Sequence, residues 1–122
     1  MAQGIRLETS VREVNGYVVL DVTGEVDVCT APSLKEALMR IIGDGQNHLL
    51  INLEHVGYMD SSGFGTLLSA LKRVRPEGGS INLIKCGSVI DRMLRITRLD
   101  TIFNIYSSED EAIGALVKAA AK

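Results

Sequence analysis

The sequence predicts an α/β domain, with a mixed β-sheet opened by an N-terminal hairpin and about four helices. Three observations carry that reading. Asn15-Gly16 lies between two strand-like runs, and this dipeptide suits a type I′ hairpin turn because both turn positions need positive φ. Leu34, Ala37, Leu38, Ile41 and Ile42, and later Phe64, Leu67, Leu68, Leu71 and Val74, recur at the three- and four-residue spacing of one helix face. Between and after these stripes lie short apolar runs, Leu49 to Leu53 and Ile81 to Ile84. The near-continuous hydrophobicity of the first suits a strand covered on both faces of a parallel sheet, and Ile81, Leu83 and Ile84 are the apolar positions of the second.

The hairpin predicts a first strand over residues 5–14, with Ile5 and Leu7 on one parity and Val11 and Val14 on opposite parities, hence a bulge near Ser10. Tyr17 to Thr23 returns antiparallel, with Val18, Leu20 and Val22 on one face and Tyr17 and Val19 on the other. Gly24-Glu25-Val26-Asp27 is expected to end that strand. Thr30-Ala31-Pro32 then opens a helix with a capping threonine and a proline in the first turn, and Gly43 and Gly45 close it. The third strand runs into a loop, Tyr58 to Gly65, from which a helix leaves toward Arg75. Pro76-Glu77-Gly78-Gly79 stops it.

Ser80 to Lys85 reads as a fourth strand. Ser88 is placed to cap a third helix whose Val89, Ile90, Met93, Leu94 and Thr97 face the core. A short fifth strand over Phe103 to Tyr106 precedes Ser107-Ser108-Glu109-Asp110-Glu111, which caps a last helix carrying Ile113, Leu116 and Val117. Acidic residues at its start and Lys118 and Lys122 at its end complement the helix dipole.

At 122 residues the chain suits a single domain, 1–122, and 46% apolar with 23% charged residues is an ordinary globular composition. A net charge of −2 gives no electrostatic footprint for nucleic acid or an anionic membrane. No apolar run approaches the ~20 residues of a membrane span, and the N-terminus lacks a signal-peptide core, so a cytoplasmic protein is expected. Cys29 and Cys86 are far apart, and His48 and His55 have no further ligand cluster beside them. No metal and no cofactor are expected.

The chemistry is concentrated in Asp60-Ser61-Ser62-Gly63-Phe64-Gly65. Gly63-Phe64-Gly65 begins like a dinucleotide fingerprint, but the sixth position is Leu68, and no Gly-Lys-Ser or Gly-Lys-Thr occurs for a phosphate loop. A receiver domain would need an acidic pair after its first strand, where this chain has a hairpin. A serine hydrolase would need Gly-x-Ser-x-Gly, which is missing, so no catalytic residue is assigned and no enzyme is expected. Asp60, Ser61 and Ser62 all suit a helix cap, the plain structural role. A second role is compatible with it: a serine hydroxyl that accepts phosphate, since a helix N-terminus tolerates added negative charge. Asp27, by default a solvated loop acid, falls at the same sheet edge if the strands run parallel.

Thr23-Gly24-Glu25-Val26-Asp27 with Thr30-Ala31, Asn52-Leu53, Met59-Asp60-Ser61-Ser62-Gly63-Phe64-Gly65, and Leu99-Asp100-Thr101-Ile102-Phe103 are ordered and spaced as in the anti-sigma factor antagonists of the STAS domain family. The resemblance covers nearly the whole chain, with Phe64 and Val26 standing where leucine is more usual. It implies a STAS-like fold and a phosphorylation-switched binding protein. In such proteins the first serine after the aspartate, here Ser61, is phosphorylated by a partner that is both anti-sigma factor and serine kinase, and a serine phosphatase reverses the step. The unphosphorylated form binds the anti-sigma factor and frees the sigma factor. Asp27, Asp60, Ser61, Ser62 and Gly63 would then form the partner surface. The alternative within the same family is a STAS interaction module of a stress-signalling, transporter or lipid-transport complex.

Overall fold

The computed structural model describes residues 6–121, so Ile5 and Lys122 lie outside the described residues. Five strands form one sheet in sequence order. Strands β1 (Leu7–Val14) and β2 (Tyr17–Val26) form the expected hairpin around Asn15 and Gly16, at φ 53° and 82°. The strands β3 (His48–Met59), β4 (Ser80–Ile84) and β5 (Asn104–Tyr106) then add parallel to β2 and to one another. Helices α1 (Ala31–Gly43), α2 (Ser61–Val74) and α3 (Ser88–Ile96) make the crossovers, and α4 (Glu109–Ala120) follows the last strand.

The strand order dictates the layers. Each crossover is right-handed by the usual rule and advances one strand in the same direction, so α1, α2 and α3 must share a face. The main core confirms it: Leu34, Leu38, Phe64, Leu67, Leu71, Ile90 and Leu94 pack on Leu20, Val22, Ile51, Leu53, Ile81 and Leu83. Among the described residues α4 alone covers the other face, where Ala112, Ile113 and Leu116 close over Val19, Leu50 and Ile84. The two parities of β2 thus serve two cores.

Several boundaries differ from expectation. The β1–β2 register is unbroken from Leu7–Gly24 to Val14–Tyr17, so no bulge occurs at Ser10; Val11 is instead an exposed residue on an edge strand and owes the core no parity. The irregularity lies in the β2–β3 pairing. One extra β3 residue is accommodated between the pairs Asp21–Asn52 and Thr23–His55, and another between Gly24–Val56 and Glu25–Tyr58. Each insertion shifts the alternation by one. Val56 and Met59, three apart from Leu53 and from each other, therefore both face the core, and the strand carries Tyr58 and Met59, which the sequence pattern assigns to the loop. The second strand likewise continues to Val26 rather than ending at Thr23. Strand β4 ends at Ile84, one residue short of Lys85, and β5 begins at Asn104 rather than Phe103.

Gly87, not Ser88, occupies the N-cap position of α3, where only Ile90 and Leu94 are buried; Val89, Met93 and Thr97 are exposed, because the helix's apolar arc is wider than the surface that covers it. In α4, Val117 is similarly exposed, while the Ser108 hydroxyl caps Glu111 N–H as expected of this serine-acidic run.

Candidate functional site

The site is made where the C-terminal ends of β2 and β3 lie side by side. Val26 pairs with Met59, and the next backbone step ties the loops together: Asp60 N–H donates to Val26 C=O at 3.1 Å. Asp27 and Asp60 are therefore neighbours at one sheet edge, as the parallel-strand argument expects.

Asp60 is the cap of α2. Its backbone is extended (φ −104°, ψ −169°), its carboxylate accepts from Ser62 N–H at 2.8 Å, and its carbonyl accepts from Gly63 and Phe64 N–H at 3.0 and 3.2 Å. Once one of three cap-type residues does the capping, the others are released for different work. Ser61 is the first helical residue and is exposed, and among the described residues no hydrogen bond engages its hydroxyl. Ser62 is half-buried, and its carbonyl accepts the Thr66 hydroxyl at 3.0 Å.

Gly63 is buried for a steric reason. A Cβ there would run into Met59 Cγ and sit 2.8 Å from Val26 Cγ1, so any larger residue at this position would force those side chains, or α2 itself, to shift from the ends of β2 and β3.

Asp27 is not the solvated acid expected from the sequence. Its carboxylate accepts from Cys29 N–H at 2.9 Å and Thr30 N–H at 3.1 Å, pairs with Arg6, and is 17% exposed. Thr30, expected to cap α1 through its hydroxyl, instead donates that hydroxyl to Glu25 C=O at 2.7 Å and accepts Asp27 N–H at 2.9 Å. The two residues knit the β2–α1 loop into a closed turn of side-chain and backbone bonds. The structure thus brings Asp27, Asp60, Ser61, Ser62 and Gly63 to one edge; among the described residues neither serine hydroxyl has a hydrogen bond, and of the two Ser61 is exposed while Ser62 is half-buried. Arg6, which sequence reasoning did not single out, is the charge that partners Asp27, and no local pattern marks it.

Neither histidine can activate Ser61. His48 opens β3, roughly 30 Å of strand away, and bonds Ser80 Oγ at 2.8 Å. His55 lines an open cleft on the α4 side of the sheet, whereas Ser61 opens a helix on the opposite side.

That far side holds two open polar clefts. The first, about 520 Å³, is lined by Arg12, Asp21, Asn52, His55 and Glu109; the second, about 540 Å³, includes Lys85, Cys86, Asp91, Arg95 and Glu111. Arg12 fixes the first cleft's electrostatics by bonding both Asp21 and Glu109, which holds the Asp21 carboxyl below its ordinary range. Burial pushes the Cys86 thiol up to about 11, so it is not a thiolate nucleophile at neutral pH. Among the described residues no group of three or more His, Cys, Asp or Glu side chains is placed to hold a metal.

The family profile described as the STAS domain matches residues 8–112. The chain belongs to the STAS domain family. The relatives of this STAS domain include the anti-sigma-B factor antagonist of Bacillus subtilis, 30% identical over 109 residues, which span 89% of this chain and 99% of the relative. The protein of the same name from Staphylococcus aureus is 31% identical over 101 residues, 83% of this chain and 92% of its own. Among solved structures, an anti-sigma factor antagonist from Mycobacterium paratuberculosis superposes with a TM-score of 0.84 at 29% identity, covering 94% of this chain and 97% of that one. The family that the motif segments resemble is the one found, and the mixed sheet with its N-terminal hairpin is its fold.

Proposed function

We propose that this STAS domain is an anti-sigma factor antagonist whose binding is switched by phosphorylation of Ser61. The observation that carries the reading is the division of labour at the start of α2: Asp60 caps the helix, and Ser61 next to it is left exposed with a free hydroxyl. The names of the relatives support the partner class. Unphosphorylated, the edge built from Asp27, Asp60, Ser61, Ser62 and Gly63 and the exposed side of α2 would bind an anti-sigma factor that is also a serine kinase, freeing its sigma factor. A serine phosphatase would reset the cycle in the cytoplasm. The domain itself would turn nothing over and would touch neither nucleic acid nor membrane. Among the described residues no helix is long and apolar enough to cross a membrane.

Phosphate on Ser61 adds about −1.5 to −2 charge. The helix N-terminus favours that charge, but the N–H groups of Ser62, Gly63 and Phe64 already bond Asp60. The phosphate therefore stays outward beside the Asp60 carboxylate, and its effect falls on the partner as repulsion and bulk. A kinase reaction with the anti-sigma factor captured from the source cell, read by mass spectrometry, is the test. Ser61→Ala should accept no phosphate yet bind, and Ser61→Asp should bind more weakly. Phosphate on Ser62, or on neither serine, sinks the assignment. Capture of transporter subunits instead would favour the interaction-module role.

A further inference from the structure

The two edges of the sheet are unlike. Strand β5 has three residues, the short edge that discourages pairing with other chains. Strand β1 has eight, Leu-Glu-Thr-Ser-Val-Arg-Glu-Val, without proline or glycine and in unbroken register with β2, so one row of its backbone N–H and C=O groups faces outward along a regular edge.

We propose that β1 is a dimer seam: two copies of this chain pair antiparallel through their β1 edges about a two-fold axis perpendicular to the sheet, with Ser10 opposite Ser10. A perpendicular two-fold keeps each face on its own side. Residues facing one another must then share parity, and their numbers must sum to an even value. Three registers remain near the middle of the strand. A sum of 18 pairs only residues 7–11. A sum of 22 sets the Glu8 carboxylate against Val14 of the second copy. A sum of 20 pairs residues 7–13; it sets Glu13 against Leu7, but it alone of the three also sets Glu8 opposite Arg12, twice, once on each side of the axis, which is the cross-strand charge pairing that stabilises antiparallel neighbours.

The side chains are prepared for that register. Glu8 and Arg12 share the α4 face, since Arg12 bonds Asp21 at 2.9 Å and Glu109 at 2.7 Å. Those bonds use Nε and Nη2 and hold the guanidinium still, while Nη1 has no partner among the described residues. Much of the cost of ordering an arginine in an interface is therefore already met within one copy. Glu8 is exposed and without an ion pair among the described residues. On the other face, exposed Val11 would lie beside Thr9 of the second copy. Because the copies run antiparallel, their Ser61 edges point to opposite ends of a ten-stranded sheet and both stay open. The seam does not depend on what Ser61 does.

One strand pair buries little area, so a weak dimer is expected, with a dissociation constant between about 10 μM and 1 mM. Sedimentation equilibrium of the full chain should show it. Glu8→Arg places like charges opposite one another at two positions and should raise that constant about tenfold or more while leaving the circular dichroism unchanged. In a Cys29→Ser background, Ser10→Cys should cross-link to a dimer on mild oxidation. A chain that is monomeric at about 1 mM overturns the seam, as does a dimer indifferent to Glu8→Arg. Cross-linking through Val11→Cys in preference to Ser10→Cys overturns the register.

Discussion

Replacing Asp60 and Ser61 one at a time separates capping from signalling. Asp60→Ala removes the carboxylate that accepts Ser62 N–H at 2.8 Å, a loss of about 1 kcal/mol within a range of 0.5–2. It also removes a negative charge from the helix N-terminus, worth about 0.3–1 kcal/mol. Together these predict about 0.8–3 kcal/mol. Asp60→Asn keeps an acceptor at the same place and should lose only the charge contribution. Ser61→Ala, at an exposed first-turn position with no hydrogen bond to its hydroxyl among the described residues, should be neutral or stabilising by up to ~0.5 kcal/mol, because alanine is the better helix former. Urea unfolding at constant m-value gives all three numbers. If Ser61→Ala costs 1 kcal/mol or more while Asp60→Ala is silent, the cap has been assigned to the wrong residue, and the argument that Ser61 is free for phosphate goes with it.

Asp27→Ala should cost about 1–3 kcal/mol, since it strips a charged acceptor from two loop N–H groups, and Asp27→Asn should recover much of that; equal losses in the two variants would refute the hydrogen-bonded role. Two glycines two residues apart in α2 should respond with opposite sign in the same unfolding assay. Gly65→Ala meets nothing within 4 Å and should stabilise by about 0.5–1 kcal/mol, whereas Gly63→Ala meets Met59 and Val26 and should destabilise by about 1–3 kcal/mol before a propensity gain of similar kind is subtracted. Because Arg12 holds Asp21 below its ordinary value of 3.8, the pair's contribution is complete above that pH and is lost as pH falls through the lowered value. Acid unfolding of Asp21→Asn should therefore be less steep below pH ~4 than that of the wild type; parallel curves would count against the pair.

Most of the architecture was readable because it follows from period and punctuation. The hairpin turn, the stripes of α1 and α2 and the alternation of helix with buried strand each rest on a few residues whose spacing has one good solution. What was not readable depends on partners distant in the chain. The length of β3 is hidden because two extra residues opposite β2 shift its alternation, so Val56 and Met59 reach the core at a three-residue spacing instead of the strand period of two. Val89 and Met93 fit a helical stripe, but no rule local to α3 tells how much of that stripe the rest of the molecule covers. The same holds at the site. Residue types marked Asp60, Ser61 and Ser62 as a cap, and only the backbone at Asp60 decides which of them caps. Asp27 was found by topology, while its engagement with Cys29, Thr30 and Arg6 needed the folded loop.

The tight seat of Gly63 on Met59 and Val26 bears on how information would be held in this molecule. The start of α2 has no slack beneath it, and its cap is complete before any modification arrives. A phosphate at Ser61 would therefore be written on a rigid page: the domain would keep one shape in both states, and the record would be the covalent bond itself. Its lifetime would be that of the ester against its phosphatase, not that of a conformational barrier. A mixed population would be read as a simple headcount of marked and unmarked copies, so any sharp threshold in the response would have to originate in the competition among partners.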